Sequence, residues 1–168
     1  MDSLRTFIFT FLVKTMGVLE DFWEDLLDET TFSLFAIHSN LEDYALAYAL
    51  NTSCDLRLER TESDLELETL GFFVTFHWKD QDQYREWTLF RNPGMEATAG
   101  PSEGLFIDEP SMNRPYLIPE RKEVDYFLKL EGEEQGVQIL PGLLATPKVI
   151  TAYRVETTKL KSKYNLIY

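Results

Sequence analysis

FSLFAIHSNLEDYALAYALNTSCDLRLE, residues 32–59, passes from one periodicity to another and back. Phe32 to His38 is an apolar run of strand length, read as a buried strand. Ser39-Asn40-Leu41-Glu42 spells a capping box, in which the Ser39 hydroxyl and the Glu42 carboxylate would satisfy free amides at a helix start. A helix rich in Ala, Leu and Tyr is expected from Leu41 to about Leu50, closing in Asn51-Thr52-Ser53. Leu56 to Glu59 alternates as a second strand. The stretch is therefore a β-α-β unit.

The same succession returns near the other end of the chain. Asp125 to Glu131 (DYFLKLE) reads as a strand, Gly136 to Ala145 (GVQILPGLLA) as a short helix interrupted by Pro141-Gly142, and Lys148 to Val155 (KVITAYRV) as a strand. Between the two units, Phe72 to Trp78 alternates, with Phe72, Val74, Phe76 and Trp78 on one face and Phe73, Thr75 and His77 on the other. The polar loop KDQDQYRE then leads to Trp87-Thr88-Leu89-Phe90, completing a hairpin. Asn92 to Gly104 carries Pro93, Gly94, Gly100, Pro101 and Gly104 and reads as an irregular loop. Leu105-Phe106-Ile107 and Tyr116-Leu117-Ile118 are short apolar runs. The fold expected is α+β: a mostly antiparallel sheet with two β-α-β-like units flanking a meander, ferredoxin-like in part.

At 168 residues the chain fits one domain. Residues 1–30 read as an N-terminal extension with an acidic amphipathic segment, and 31–168 as the single domain. Thr6 to Val13 (TFIFTFLV) is apolar but too short to span a bilayer, which takes about 20 residues. Lys14 and the acids from Glu20 onward do not suit a signal peptide, and Met16 is an alternative start. From Val18 to Glu29, Leu19, Phe22, Trp23, Leu26 and Leu27 form a helical stripe opposed by Glu20, Asp21, Glu24, Asp25 and Asp28. This helix is read as docking on its own domain, with a partner groove as the sharper alternative.

Charge narrows the function classes. The net charge of −13 comes from 29 acids against 16 bases, so the body of the protein repels nucleic acid and anionic lipid. The acidity is uneven. Lys148 to Tyr168 holds five bases (Lys148, Arg154, Lys159, Lys161, Lys163) and one acid, Glu156, leaving that stretch at +4 and the remainder at −17. Nucleic acid is thus not expected as a partner except through this basic tail, and no membrane partner is expected. The single cysteine, Cys54, excludes an internal disulfide or Cys-pair zinc site. It also favours a reducing, cytoplasmic compartment. Its expected role is a buried small hydrophobe.

Ile118-Pro119-Glu120, three intervening residues and Val124-Asp125-Tyr126 resemble the motif of the IPExxxVDY family. Further blocks carry the resemblance from about Phe32 onward. Ala36-Ile37-His38-Ser39, Leu41-Glu42-Asp43-Tyr44, Leu46-Ala47-Tyr48 and Leu50-Asn51 resemble the family's N-terminal strand and helix. Tyr126-Phe127-Leu128-Lys129, Val149-Ile150-Thr151-Ala152-Tyr153, Leu160-Lys161-Ser162-Lys163 and Asn165-Leu166-Ile167 resemble its C-terminal half. The resemblance implies a bacterial protein but no particular reaction. The N-terminal extension departs from the family pattern, and Pro141-Gly142 stands where the family continues a helix.

Candidate chemistry is sparse. The motif has a plain structural account: Pro119 ends a strand, a polar turn follows, and Val124 starts the next strand, with Glu120 or Asp125 accepting backbone amides. Its sharper reading is a binding surface of Ile118, Pro119, Glu120, Asp125 and Tyr126, joined by Lys159, Lys161 and Lys163 of the tail. Catalysis by Glu120 and Asp125 would need a shared cleft and a perturbed pKa. His38, before a helix start, and His77 lack metal-ligand spacing, and no phosphate loop or nucleophile elbow is present. No cofactor or metal is expected. The leading expectation is a non-enzymatic protein-binding or adaptor module. The alternatives are a small-ligand-binding regulatory domain and, behind it, a metal-assisted hydrolase. Oligomeric state is left open.

Overall fold

The computed structural model describes residues 32–68, 70–95, 114–132 and 138–168. The readings made for residues 1–31 and for Leu105-Phe106-Ile107 lie outside these. The chain divides at Thr31, and the described residues belong to the second unit, Phe32–Tyr168.

In chain order the elements are β1 (Phe32–Ser39), α1 (Asp43–Cys54), β2 (Glu59–Arg60), β3 (Leu65–Leu67), β4 (Gly71–Phe73), β5 (Thr75–Asp80), β6 (Arg85–Arg91), β7 (Tyr126–Gly132), α2 (Ile139–Ala145) and β8 (Val149–Val155). A short 3-10 turn, Pro119–Arg121, precedes β7, and two more, Thr157–Lys159 and Lys161–Leu166, follow β8. Six strands form one sheet in the order β2-β5-β6-β7-β1-β8, while β3 and β4 pair separately. Every pairing is antiparallel, so the α+β class is as expected.

Following those pairings, β7 and β8 run the same way with β1 between them, and β1 runs parallel to β2 across β7, β6 and β5. Both β-α-β units are therefore present, but they interleave where the sequence suggested that they flank a meander. The strands β6-β7-β1-β8 with the two helices form the split β-α-β arrangement of ferredoxin-like folds. β5 and β2 extend the sheet.

The two faces are covered differently. Phe35 and Ile37 of β1, Trp87 and Leu89 of β6, and Tyr126, Leu128 and Leu130 of β7 pack with Leu46, Ala47 and Leu50 of α1 and Ile139 and Leu143 of α2. On the other face Leu34, Ala36, Phe90 and Phe127 pack with Phe73 of β4, with Leu117, Ile118 and Val124, and with Leu160 and Leu166 of the tail. Because both faces are buried, β1 reads as an unbroken apolar run and shows no alternation.

Several boundaries differ from the sequence reading, each for a physical reason. Helix α1 starts at Asp43, with Glu42 at the cap position and no side-chain cap bond. The Ser39 hydroxyl is occupied elsewhere: it donates to the Lys148 carbonyl (3.0 Å) and accepts the Leu41 amide (3.2 Å). Glu42 faces Arg91 (3.7 Å) instead of closing a capping box. The helix runs on through Asn51-Thr52-Ser53 and stops only at Asp55, whose φ of 54° is left-handed. Leu56 and Leu58 are buried but only Glu59–Arg60 pairs as strand. The alternating stretch Phe72–Trp78 breaks at Val74 into β4 and β5.

Pro141 and Gly142 do not interrupt α2. Pro141 falls in the first turn, where amides lack intrahelical acceptors anyway. A Cβ on Gly142 would sit 3.0 Å from the Cys54 sulfur, so glycine permits the close approach of α2 to the end of α1. Burial pushes the Cys54 thiol above its ordinary value, as suits a packing role.

Candidate functional site

The motif segment is knitted into the domain by side chains that grip main-chain atoms. Its hub is Asn92, the first residue of the stretch read as an irregular loop. Asn92 is fully buried. Its amide nitrogen donates to the carbonyls of Arg121 (2.8 Å) and Val124 (2.9 Å). Its side-chain oxygen accepts the Ile118 amide (2.9 Å), and its backbone bonds Asp125 and Leu117.

Asp125 accepts the Ser39 amide (3.0 Å), joining the start of β7 to the end of β1. The Tyr126 hydroxyl donates to the Leu41 carbonyl (2.7 Å), tying β7 to the approach to α1. Burial pushes this phenol up to about 12. Ile118 and Tyr126 are interior side chains, so they form no part of an exposed binding surface. The apolar side chain of one and the ring of the other are consumed by the two cores.

Glu120 does something the sequence could not show. It lies on the 3-10 turn Pro119–Arg121, with Pro119 at its start. Its carboxylate reaches the tail, accepting the Ser162 amide (2.8 Å) and the Ser162 hydroxyl (2.5 Å). The two separately chosen candidates, the motif and the basic tail, meet at this join. Ser162 is flanked by Lys161 and Lys163, and Glu120 is followed by Arg121 and Lys122. Nearby, Lys159 pairs with Glu156 (2.6 Å) and Arg121 with Glu123 (3.6 Å). Lys122 lies over the Tyr116 ring and Lys163 over the Tyr164 ring. Lys161 and Lys122 are exposed. Five cations against Glu120, Glu123 and Glu156 leave the junction positive on an acidic protein.

For Glu120, burial acts to raise the carboxyl, but hydrogen bonds from the Ser162 hydroxyl and from the amides of Glu120, Ser162 and Lys161 outweigh it and lower the pKa. A depressed acid stabilises its contact above its unfolded value and loses that contribution as pH falls through the folded one. An acid titration followed by NMR should therefore show the Ser162 amide shifting with a midpoint below the ordinary glutamate value of 4.5, and the shift should vanish in Glu120→Gln. A midpoint at or above that value would contradict the join.

Glu120 and Asp125 serve different contacts, one to the tail and one to β1. Among the described residues no group of three or more His, Cys, Asp or Glu comes together in a way that could hold a metal. Among them also, no helix is long and apolar enough to cross a membrane. His38 stacks on Tyr153 (5.8 Å between rings), with its Nε2 3.4 Å from that hydroxyl. Two residues central to the region escaped sequence reading. Asn92 looked like loop punctuation before Pro93-Gly94, and Lys129 looked like one position of a strand. Lys129 is in fact buried and donates to the Leu166 carbonyl (2.7 Å), pinning the far end of the tail turn. A lysine amid the apolar run DYFLKLE was the available signal.

Comparisons with family models, curated proteins and solved structures give no match.

Proposed function

We propose that this chain is a non-enzymatic binding module of the bacterial cytoplasm, akin to the IPExxxVDY family, that docks an acidic segment of a partner protein at the junction of Pro119–Arg121 with the tail turn. The observation that carries this reading is the Glu120–Ser162 join, which gathers Arg121, Lys122, Lys161 and Lys163 where the rest of the molecule is acidic. A protein of net charge −13 repels an extended polyanion at long range. A short acidic peptide segment presents its charge locally and suits the small positive area better than nucleic acid does. Tyr116 and Tyr164 beneath Lys122 and Lys163 add the aromatic contact area typical of protein interfaces.

The test is capture from bacterial lysate at moderate salt, comparing the natural chain with Lys122→Glu/Lys161→Glu. A captured partner should carry an acidic segment, and a synthetic peptide of that segment should bind the variant about tenfold or more weakly, since each reversal exchanges a modest attraction for repulsion. Equal binding by both chains, or no reproducible partner, would remove the proposal.

A further inference from the structure

The face of the sheet away from the helices carries a second polar site, distinct from the junction. Strand register sets it out in two rows. His77 of β5 stands opposite Thr88 of β6, which stands opposite Lys129 of β7. Two residues along the same strands, Lys79 stands opposite Glu86, which stands opposite Glu131. Side chains two apart share a face and lie roughly 6.5–7 Å apart along a strand, so a row of donors and cations adjoins a row containing two carboxylates.

A basin of about 350 Å³ opens over these rows, lined by His77, Glu86, Thr88, Lys129, Glu131 and Tyr168, with Thr61 and Ile167 at its edges. Lys129 forms its buried end. The ammonium lies 2.9 Å from Glu131 Oε2 and donates to the Leu166 carbonyl, and it sits 5.5 Å from the Phe32 ring centre and 5.4 Å from that of Tyr168. Three groups are reachable from solvent, the side chains of His77, Glu86 and Glu131 being 40%, 37% and 43% exposed, whereas Thr88 is buried and hydrogen-bonded to the Tyr168 side chain. His77 Nε2 lies 3.7 Å from Glu86 Oε2, and Lys79 hydrogen-bonds the same residue. The hydrogen bond from Lys79 holds the Glu86 carboxyl below its ordinary value, so it is ionised at neutral pH.

A simple anion entering this basin would meet Glu86 and Glu131, and a simple cation would meet Lys129. Either meets repulsion on one row. A molecule bearing both charges satisfies both rows at once, and the volume lies near the lower end for ligand pockets, which restricts it to something small. We infer that the basin between β5, β6, β7 and the Ile167–Tyr168 segment binds a small zwitterion, a free amino acid, with its ammonium toward Glu86 and Glu131 and its carboxylate toward His77 and the Lys129 end.

The experiment is a thermal-shift screen of the full chain against the free L-amino acids at neutral pH, with calorimetry on any that bind. A ligand specific for the native state raises the melting temperature. Each amino acid that does so is compared with its analogue lacking the amine and its analogue lacking the carboxylate. At least one amino acid should stabilise the chain while both analogues fail. Glu131→Gln and His77→Gln, both at part-exposed positions, should each weaken binding about tenfold, the worth of one charge-assisted hydrogen bond, whereas Tyr48→Phe, at an exposed position of α1 on the other side of the sheet, should leave it unchanged. If no amino acid shifts the transition, if either one-charge analogue binds as well, or if the two basin variants bind normally, the zwitterion site is wrong. None of these results bears on the acidic-peptide junction.

Discussion

Replacing Asn92 with alanine is expected to cost roughly 3–5 kcal/mol of folding free energy, because buried groups that lose their only partners are penalised by about 1–3 kcal/mol each. The side chain serves three main-chain groups, the Ile118 amide and the carbonyls of Arg121 and Val124. Ile118 and Val124 are buried, so water cannot easily replace what is removed there. The Arg121 carbonyl also accepts the Val124 amide (3.1 Å), so its loss counts least. Denaturant titration of the natural chain and the variant measures the difference. Asn92→Asp should be at least as damaging, since it keeps an acceptor for the Ile118 amide but turns a carboxylate toward two carbonyls. A loss below about 1 kcal/mol in the alanine variant would mean the segment is held by other contacts.

Phe127→Ala should cost a similar amount, about 3–5 kcal/mol, as large-to-small changes of buried aromatic residues do. Phe127 lies mid-strand in β7, opposite Phe90 on one side and Ala36 on the other. It is fully buried in the core beneath the tail and motif segments. Those covering segments are irregular and tied at fixed points, which limits how far they can collapse into the space left behind. The melting midpoint should fall by on the order of 10 °C. Its neighbour makes an internal control. Tyr126 points to the helix side, and Tyr126→Phe removes only the bond to Leu41, worth about 0.5–1.5 kcal/mol. If the two variants were equally mild, the second face would not be a packed core.

The strands β1, β7 and β8 were legible because their apolar runs are bounded by polar or turn residues, and their lengths suit strands. What failed depended on partners remote in sequence. Ser39 and Glu42 match a capping box, yet Ser39 belongs to the end of a strand where Lys148 and Asp125 compete for it. Pro141-Gly142 looked like a break because a local reading does not place Pro141 in the first turn or see Cys54 against Gly142. The motif and the basic tail were each chosen from the sequence, but the Glu120–Ser162 contact spans 42 residues, and nothing in either segment announces the other. Asn92 and Lys129 were passed over for the same reason: the carbonyls and the amide they grip lie on distant segments, and main-chain atoms leave no signature in the letters.

Contacts made through main-chain atoms also shape what mutation can change. Asn92, Asn165, Lys129 and Asp125 hold their neighbours by the carbonyls of Arg121, Val124, Leu117 and Leu166 and the amides of Ile118 and Ser39. Nearly every amino acid carries these groups. The gripping residues are constrained, and so are Leu117, Ile118, Val124 and Leu166, whose side chains pack in the core, while the exposed side chains between them are not read by the scaffold. Mutation at 121, 122, 161 and 163 can therefore retune what the surface recognises from one lineage to the next without renegotiating the architecture underneath.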